Sequence, residues 1–335
     1  MGGLRPRARR RTLEGRVSEG WMASATDPVL SVVVVIISDT TRVRAQSDDL
    51  AGCLDALGQQ VDAPPIEIIV PYHENTDGVS TLRARFPDVS FVAVTDPEIA
   101  ARTAGSREHH DALRARGLAL ARGALVALLE DHARPDAHWC ANIVAAHRAG
   151  DAAVGGAIEN GIDRPLNWAV YYCDFAKYQN PVPAGASQFA SDANTAYKRS
   201  ALESVRSLWE ASFREVVVNG ALRAAGRTIT LNPDVIVYQH RSDLRLGSAL
   251  CERFVWGRSY AATRSARLSP SRRLVYAALS PLLPLIMMQR IAATIWTRHR
   301  NFGKFVGAVP LIALLACSWS AGECAGYLAS NVRKR

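Results

Sequence analysis

Three polar residues, Glu130-Asp131-His132, follow directly on an apolar run at residues 124–129 (ALVALL), with Pro135 and Trp139 close behind. Such a run reads as a buried strand. It delivers ionisable side chains at its carboxyl end, where open parallel sheets bind their ligands. In a locally extended segment residues 130 and 132 share one side, so a carboxylate and an imidazole aim at one point. That pair suits Mn2+, whereas Mg2+ prefers oxygen ligands alone. A divalent ion there would stabilise negative charge on a departing phosphate. A second imidazole, His240, follows a short apolar segment at 235–238. The plain alternative is an acidic loop with a solvated histidine.

The elements that must position these residues are legible upstream. Residues 31–37 (SVVVVII) form a β-branched run that fits a strand buried on both faces. Leu50, Cys53, Leu54 and Leu57 recur at helical spacing until Pro64-Pro65. Residues 66–70 (IEIIV) and 89–94 predict further strands, with a short helix at 82–86 between them and a longer one at 111–121 stopped by Gly123. Strand and helix alternating at this spacing imply right-handed crossovers and a parallel sheet. Beyond the acidic triplet the pattern loosens. A helix opened by Pro135 and Trp139, a small-residue strand at 152–157 and an aromatic-rich stretch at 167–178 come first. A mobile loop at 181–187, a strand at 194–197, a helix at 216–225 and two short strands at 228–231 and 235–238 follow.

The chain has 335 residues, 48% of them apolar and 21% charged, enough for an enlarged α/β domain with an appendage. The net charge of +9 gathers at the ends: six arginines lie in residues 1–16, and the chain closes on Arg333-Lys334-Arg335. Basic ends suit anionic surfaces or a solvated arm. Six cysteines without a CxxC pair exclude a zinc ribbon and point to buried thiols in a reducing, cytoplasmic compartment. The last quarter holds two long apolar stretches, 274–296 and 305–329. Each is long enough to span a bilayer. Two spans, a re-entrant hairpin, interfacial helices and a buried helical pair all satisfy the sequence.

The order Ala121-Arg122-Gly123, apolar strand, acidic triplet, Pro135, Trp139 resembles the family 2 glycosyltransferases. Their usual pattern is an A-x-G turn, an apolar strand and a D-x-D-like motif. His132 in third place is similar to the D-x-H variant of polypeptide N-acetylgalactosaminyltransferases, with Glu130 as a mild departure. The resemblance implies a GT-A fold: an α/β, mostly parallel sheet flanked by helices over residues 28–265, between a basic arm at 1–27 and a membrane-associated helical tail at 270–330. It implies a nucleotide-diphospho-sugar donor held through Mn2+ or Mg2+, with Glu130, His132 and His240 as ligands. It also implies transfer to a saccharide or lipid-linked acceptor, with no role for nucleic acid. Glu215, before a helix that continues Ala221-Leu222-Arg223-Ala224-Ala225-Gly226, matches the catalytic base of an inverting transfer. Asp192 and Asn194 match the acceptor-side turn, and Trp168 offers a ring to stack on a sugar. On the nucleotide side the expected V-D-D-G-S-T-D and P-x-Y-N are absent, leaving Asp39, Glu74, Arg116 and Asp131 as candidates.

The processive Q-x-x-R-W motif is also absent, with Glu252-Arg253-Phe254-Val255-Trp256 in its place, which favours a single transfer. Trp319 to Tyr327 resembles the W-x-x-G-E-x-x-G-Y tail of membrane-associated members. The resemblance therefore implies an enzyme of cell-envelope or surface glycan synthesis at the cytoplasmic face of the membrane. The competing reading is a catalytically silent scaffold of the same fold that binds a membrane or partner. A nucleotidyltransferase would need a glycine-rich loop after the first strand, and residues 38–44 contain no glycine.

Overall fold

The computed structural model describes residues 27–37, 48–74, 76–95, 107–265 and 268–329. All but the last residue of the predicted arm, and the candidate Asp39, lie outside the described residues. Strand β1 (Leu30–Val35), helix α1 (Asp48–Gly58), β2 (Ile66–His73), α2 (Val79–Arg85), β3 (Ser90–Val94), α3 (Arg107–Leu120) and β4 (Leu125–Glu130) alternate as the sequence predicts. Then come β5 (Ala133–Pro135), α4 (Trp139–His147), β6 (Ala153–Asn160), α5 (Pro165–Phe175), β7 (Gly185–Ala186), β8 (Asn194–Lys198), α6 (Arg199–Glu203), α7 (Glu215–Ala224) and β9 (Ile229–Gln239). Four helices close the described chain: α8 (Leu246–Ser265), α9 (Pro270–Leu279), α10 (Leu283–Arg298) and α11 (Phe302–Ala329).

The strands form one sheet in the order β3-β2-β1-β4-β8-β6-β9-β5, with β7 beside β9. Strands β1 to β4 are parallel to one another, as is β6 to β9, while β8 runs antiparallel to both β4 and β6. Most of the paired residues are parallel. Strand alternation divides β1 between two cores. Val32 and Val34 pack with Leu50, Leu54, Trp139 and Ile143 from α1 and α4. Val33 and Val35 pack on the other face with Leu113 and Leu118 of α3 and with Trp209 and Phe213. Layers of helix on both faces are what the fully apolar strands require.

Three local expectations are corrected. Pro135 belongs to the short strand β5, which pairs antiparallel with β9, and the helix begins only at Trp139. The loop expected to be mobile is tied down, because Gly185 and Ala186 pair with Leu231 and Thr230. The two short strands at 228–231 and 235–238 are one strand, interrupted where the register jumps from Gly156↔Asn232 to Ala157↔Ile236. Pro233 has no N–H to give the ladder, so the chain bulges there.

The turn before β4 fixes the register of three strands. Glu67 sits opposite Ser31 in the β1–β2 ladder and accepts from Ser31 Oγ (2.5 Å), Arg122 N (2.7 Å) and Arg122 Nε (2.9 Å). Gly123 N donates to Ser31 Oγ at 2.7 Å. A Cβ on Gly123 would lie 2.6 Å from Ser31 N, so only glycine fits this close approach. Burial opposes ionisation of Glu67, but the hydrogen bonds from Ser31 and Arg122 outweigh it and hold its pKa below the usual carboxylate value. A lowered native pKa stabilises the fold above the unfolded-state value and is lost as pH falls through the native one. Glu67→Gln is therefore expected to destabilise by about 1–2 kcal/mol at neutral pH. In urea titrations the gap to the parent should close as the pH drops below the carboxylate range.

Candidate active site

The carboxyl end of β4 delivers the acidic triplet beside the end of β9, because β5 turns back to pair with it: His240 N donates to His132 O at 2.8 Å. Asp131 is fully buried, donates its N–H to Val35 O (3.0 Å) and accepts from Ile37 N at 3.2 Å. Its carboxylate Oδ1 lies 3.3 Å from His132 Nδ1, an ion-pair distance for the protonated ring. His132 Nε2 then faces Glu130 Oε2 at 3.5 Å. Burial would lower the His132 pKa, but the Asp131 and Glu130 carboxylates overcome it and raise it. Burial raises that of Glu130 against the pull of His132 and Arg114.

These residues open into a cleft of about 230 Å³, lined also by Arg107, Arg114, Asp192, Glu215, Gln239 and Arg241. Arg114 has 5% of its side chain exposed and meets Asp192 (3.1 Å), Glu130 (3.4 Å) and Asp111 (3.4 Å). Burial pushes the Asp111 pKa up to about 6, although Arg114 and Arg107 oppose it. Glu215 stands at the first turn of α7, and Arg107 Nη2 donates to both of its carboxylate oxygens at 3.0 Å. Burial and the neighbouring Asp192 charge raise the Glu215 pKa despite Arg107 and Arg114. The far wall is braced by α8. Arg241 donates to Glu252 at 3.1 and 2.6 Å, Arg253 makes a two-pronged pair with Asp174 of α5, and Trp256 reaches the cleft.

The structure thus gathers Glu130, His132, Asp192 and Glu215, and sets other candidates elsewhere. His240 does not line the cleft, since strand alternation turns it away from Gln239 and Arg241, which do. Its ring lies over Gly161, where a Cβ would come 2.4 Å from Nε2. Asn194 is fully buried and spent on the fold: Trp139 Nε1 donates to its Oδ1 (2.9 Å), and its Nδ2 donates to Ala157 O (2.8 Å) and Val235 O (2.9 Å). Trp168 is stacked on Tyr172 at 5.5 Å and donates to Asp163 Oδ1 at 2.7 Å, away from this cleft. Arg116 and Glu74 are exposed and line no part of it. The arginine that matters is Arg114. Arg107, His110 and Arg114 recur at spacings of three and four on the face of α3 that meets the cleft, and Arg116 falls on the opposite side. That helical phase was the available signal. Arg107 and His110 precede the helix predicted at 111–121, so the phase shows only once the helix is known to start at Arg107, and Arg241 follows β9, where no periodicity marks it.

A divalent ion fits part of this site. Glu130 Oε2 is buried without a hydrogen-bond partner, next to an imidazole nitrogen, and such an orphaned acceptor calls for a ligand. Carboxylate plus imidazole suits Mn2+. Among the described residues no group of three His, Cys, Asp or Glu side chains is placed to hold a metal; Glu130 and His132 stand together at the end of β4, and His240 lies outside the cleft lining.

The sequence model described as glycosyl transferase family 2 matches residues 34–206, more than half of the chain. The chain belongs to that family. This transferase is also similar to several solved structures. One is a mannosyltransferase, PcManGT, from Pyrobaculum calidifontis in complex with GDP-Man and Mn2+, at 18% identity and TM-score 0.47 over 93% of this chain and 89% of that one. Another is S. aureus TarS 1-349 in complex with UDP-GlcNAc, at 11% identity and TM-score 0.46 over 88% and 92%. No curated protein sequence matches the chain.

Removing the Arg114 charge leaves the buried carboxylates of Asp111 and Glu130, and the half-buried one of Asp192, without their shared cation. Arg114→Met is expected to destabilise by about 3–5 kcal/mol in urea unfolding. Arg116→Met on the exposed face should change stability by no more than about 0.5 kcal/mol.

Proposed function

We propose that this family 2 transferase moves a sugar from a nucleotide-diphospho-sugar to the hydroxyl of a saccharide or lipid-linked acceptor, with inversion and in single transfers. The observation that carries this reading is the Glu130–His132 pair, 3.5 Å apart at the end of β4, in one cleft with the carboxylate of Glu215. Glu130 and His132 would hold a divalent ion, which when bound supplies positive charge to the departing diphosphate. Asp131 orients the imidazole of His132. Glu215 takes the acceptor O–H proton as the acceptor oxygen bonds to the anomeric carbon. The bond from that carbon to the diphosphate oxygen breaks and leaves its electron pair on the diphosphate. Arg107 holds Glu215 in place, and Asp192 is the acceptor-side hydrogen-bonding group.

Two helical stretches, Pro270–Arg298 and Phe302–Ala329, are long and apolar enough to cross a membrane by length and composition. Together with six free cysteines they support our reading of an enzyme at the cytoplasmic membrane face, acting in envelope or surface glycan synthesis. Single transfer is inferred from Glu252-Arg253 standing where a processive motif would lie, both spent on ion pairs.

His132→Ala is expected to abolish the Mn2+-dependent part of nucleotide-sugar binding measured by calorimetry, while His240→Ala keeps most of it. Retention in His132→Ala would remove His132 as a metal ligand, whereas absence of metal-dependent donor binding in the parent protein would favour a silent scaffold. Glu215→Gln should bind donor normally and lose about 10²–10⁴-fold in turnover. A base must be ionised, and a raised pKa places the acid limb of kcat/KM above the ordinary carboxylate range. Asp192→Asn removes the like charge and should move that limb to lower pH.

A further inference from the structure

Helix α11 runs for 28 residues, about 42 Å at its rise per residue. From Phe305 to Tyr327 a buried stripe recurs every three or four residues along it. That stripe packs lengthwise on α5 and α8. Tyr172 Oη donates to Asn301 O (3.1 Å) at one end, Ser318 Oγ donates to Leu250 O (2.7 Å) in the middle, and Arg264 donates to Tyr327 Oη (3.5 Å) at the other. Glycines make the approach close. A Cβ on Gly322 would lie 2.2 Å from Phe254 O, and one on Gly326 2.5 Å from Arg258 O. The W-x-x-G-E-x-x-G-Y segment is thus a helix-packing device, with Trp319 Nε1 donating to Glu323 at 2.6 Å.

The outward side of α11 is the anomaly. Val306, Pro310, Leu314, Cys317, Ala321 and Leu328 are exposed, and after Lys304 that side carries no charge. A helix lying on a protein with water beyond it carries polar residues outward. Helices α9 and α10 and the turn between them share the property: Leu274, Leu279, Leu282, Leu285 and Trp296 are 49–69% exposed. Exposed Arg272 and Arg290 stand among them, cations that match anionic headgroups.

Building on the membrane association proposed above, we infer that the tail lies in the membrane plane, with its outward apolar side sunk in one anionic leaflet, and does not cross the bilayer. A span would need about 30 Å of hydrocarbon around α11. Helix α8 lies against it with Glu252, Arg253, Arg258 and Arg264, and α5 with Asp174. Those charges would enter the lipid with it, which is strongly unfavourable. An in-plane seat leaves them on the protein side and covers the apolar side.

The test uses the full chain with Cys251 and Cys317 changed to Ser, carrying Thr297→Cys or Ala329→Cys, bound to the outside of sealed phosphatidylglycerol–phosphatidylcholine vesicles. A membrane-impermeant maleimide should label both positions from outside, without detergent. Labelling at one end and protection at the other until detergent is added would establish a span and overturn the inference. Leu282→Glu with Leu285→Glu should lower co-sedimentation with the vesicles about tenfold or more, with Mn2+-dependent donor binding kept as proof of folding. Unchanged sedimentation would overturn it. So would concentration-dependent self-association without vesicle binding, which would give the surface to a second copy of the chain. Loss of donor binding in the parent protein would count against the transferase reading alone, since labelling and sedimentation do not depend on it.

Discussion

With 5% of its side chain exposed, the Arg114 guanidinium has almost no water to solvate it, so its charge is met by Asp111, Glu130 and Asp192. Those carboxylates come from α3 itself, the end of the following strand β4 and the turn before β8, some sixty residues further along the chain. One cation therefore holds the Glu130 side and the Asp192 side of the cleft in register. The same cluster sets the proton affinities. Desolvation and the neighbouring Asp192 charge raise the Glu215 pKa, because the two arginines are shared among more carboxylates than they can neutralise.

The framework under the cluster is built to carry it. Full burial of β1 and β4 demands helices on both faces, and α3 is one of them. Its inner face must therefore be apolar near the sheet's middle, at Leu113 and Leu118, while its neighbouring turns put Arg107, His110 and Arg114 at the strand ends. The Glu67–Ser31–Arg122 network fixes where β4 starts, and so where Glu130, its last residue, ends up. At the far wall, the ion pairs of Arg241 and Arg253 with Glu252 and Asp174 join the cleft to α8, and the glycine contacts join α8 to α11.

Much of this was legible in the sequence, and the reasons differ by residue. The strands β1, β2 and β4 announce themselves because burial on both faces leaves an unbroken apolar run. Glu130 and His132 are legible because period-two alternation at a strand end needs no tertiary information. His240 shows the limit of that rule. Its place after an apolar strand is clear, but which way a ring points depends on the register of β9, and the bulge at Pro233 resets that register invisibly. Asn194 misled because a polar residue in a strand looks like a ligand contact, whereas here it satisfies the Trp139 indole and two carbonyls of the core. Arg116 misled because charge alone does not reveal helical phase. The strands β5 and β7 are too short to carry any periodicity.

In the proposed reaction an imidazole and a carboxylate from one strand end bind the ion that serves the diphosphate. Electron spin-echo modulation of Mn2+ added with a nucleoside diphosphate measures this directly, because a coordinated imidazole couples its nitrogen to the electron spin. The native protein should show a nitrogen modulation that disappears when His132 is replaced by alanine. A spectrum with oxygen ligands alone, or a nitrogen signal that persists in that variant, would contradict this ligand assignment.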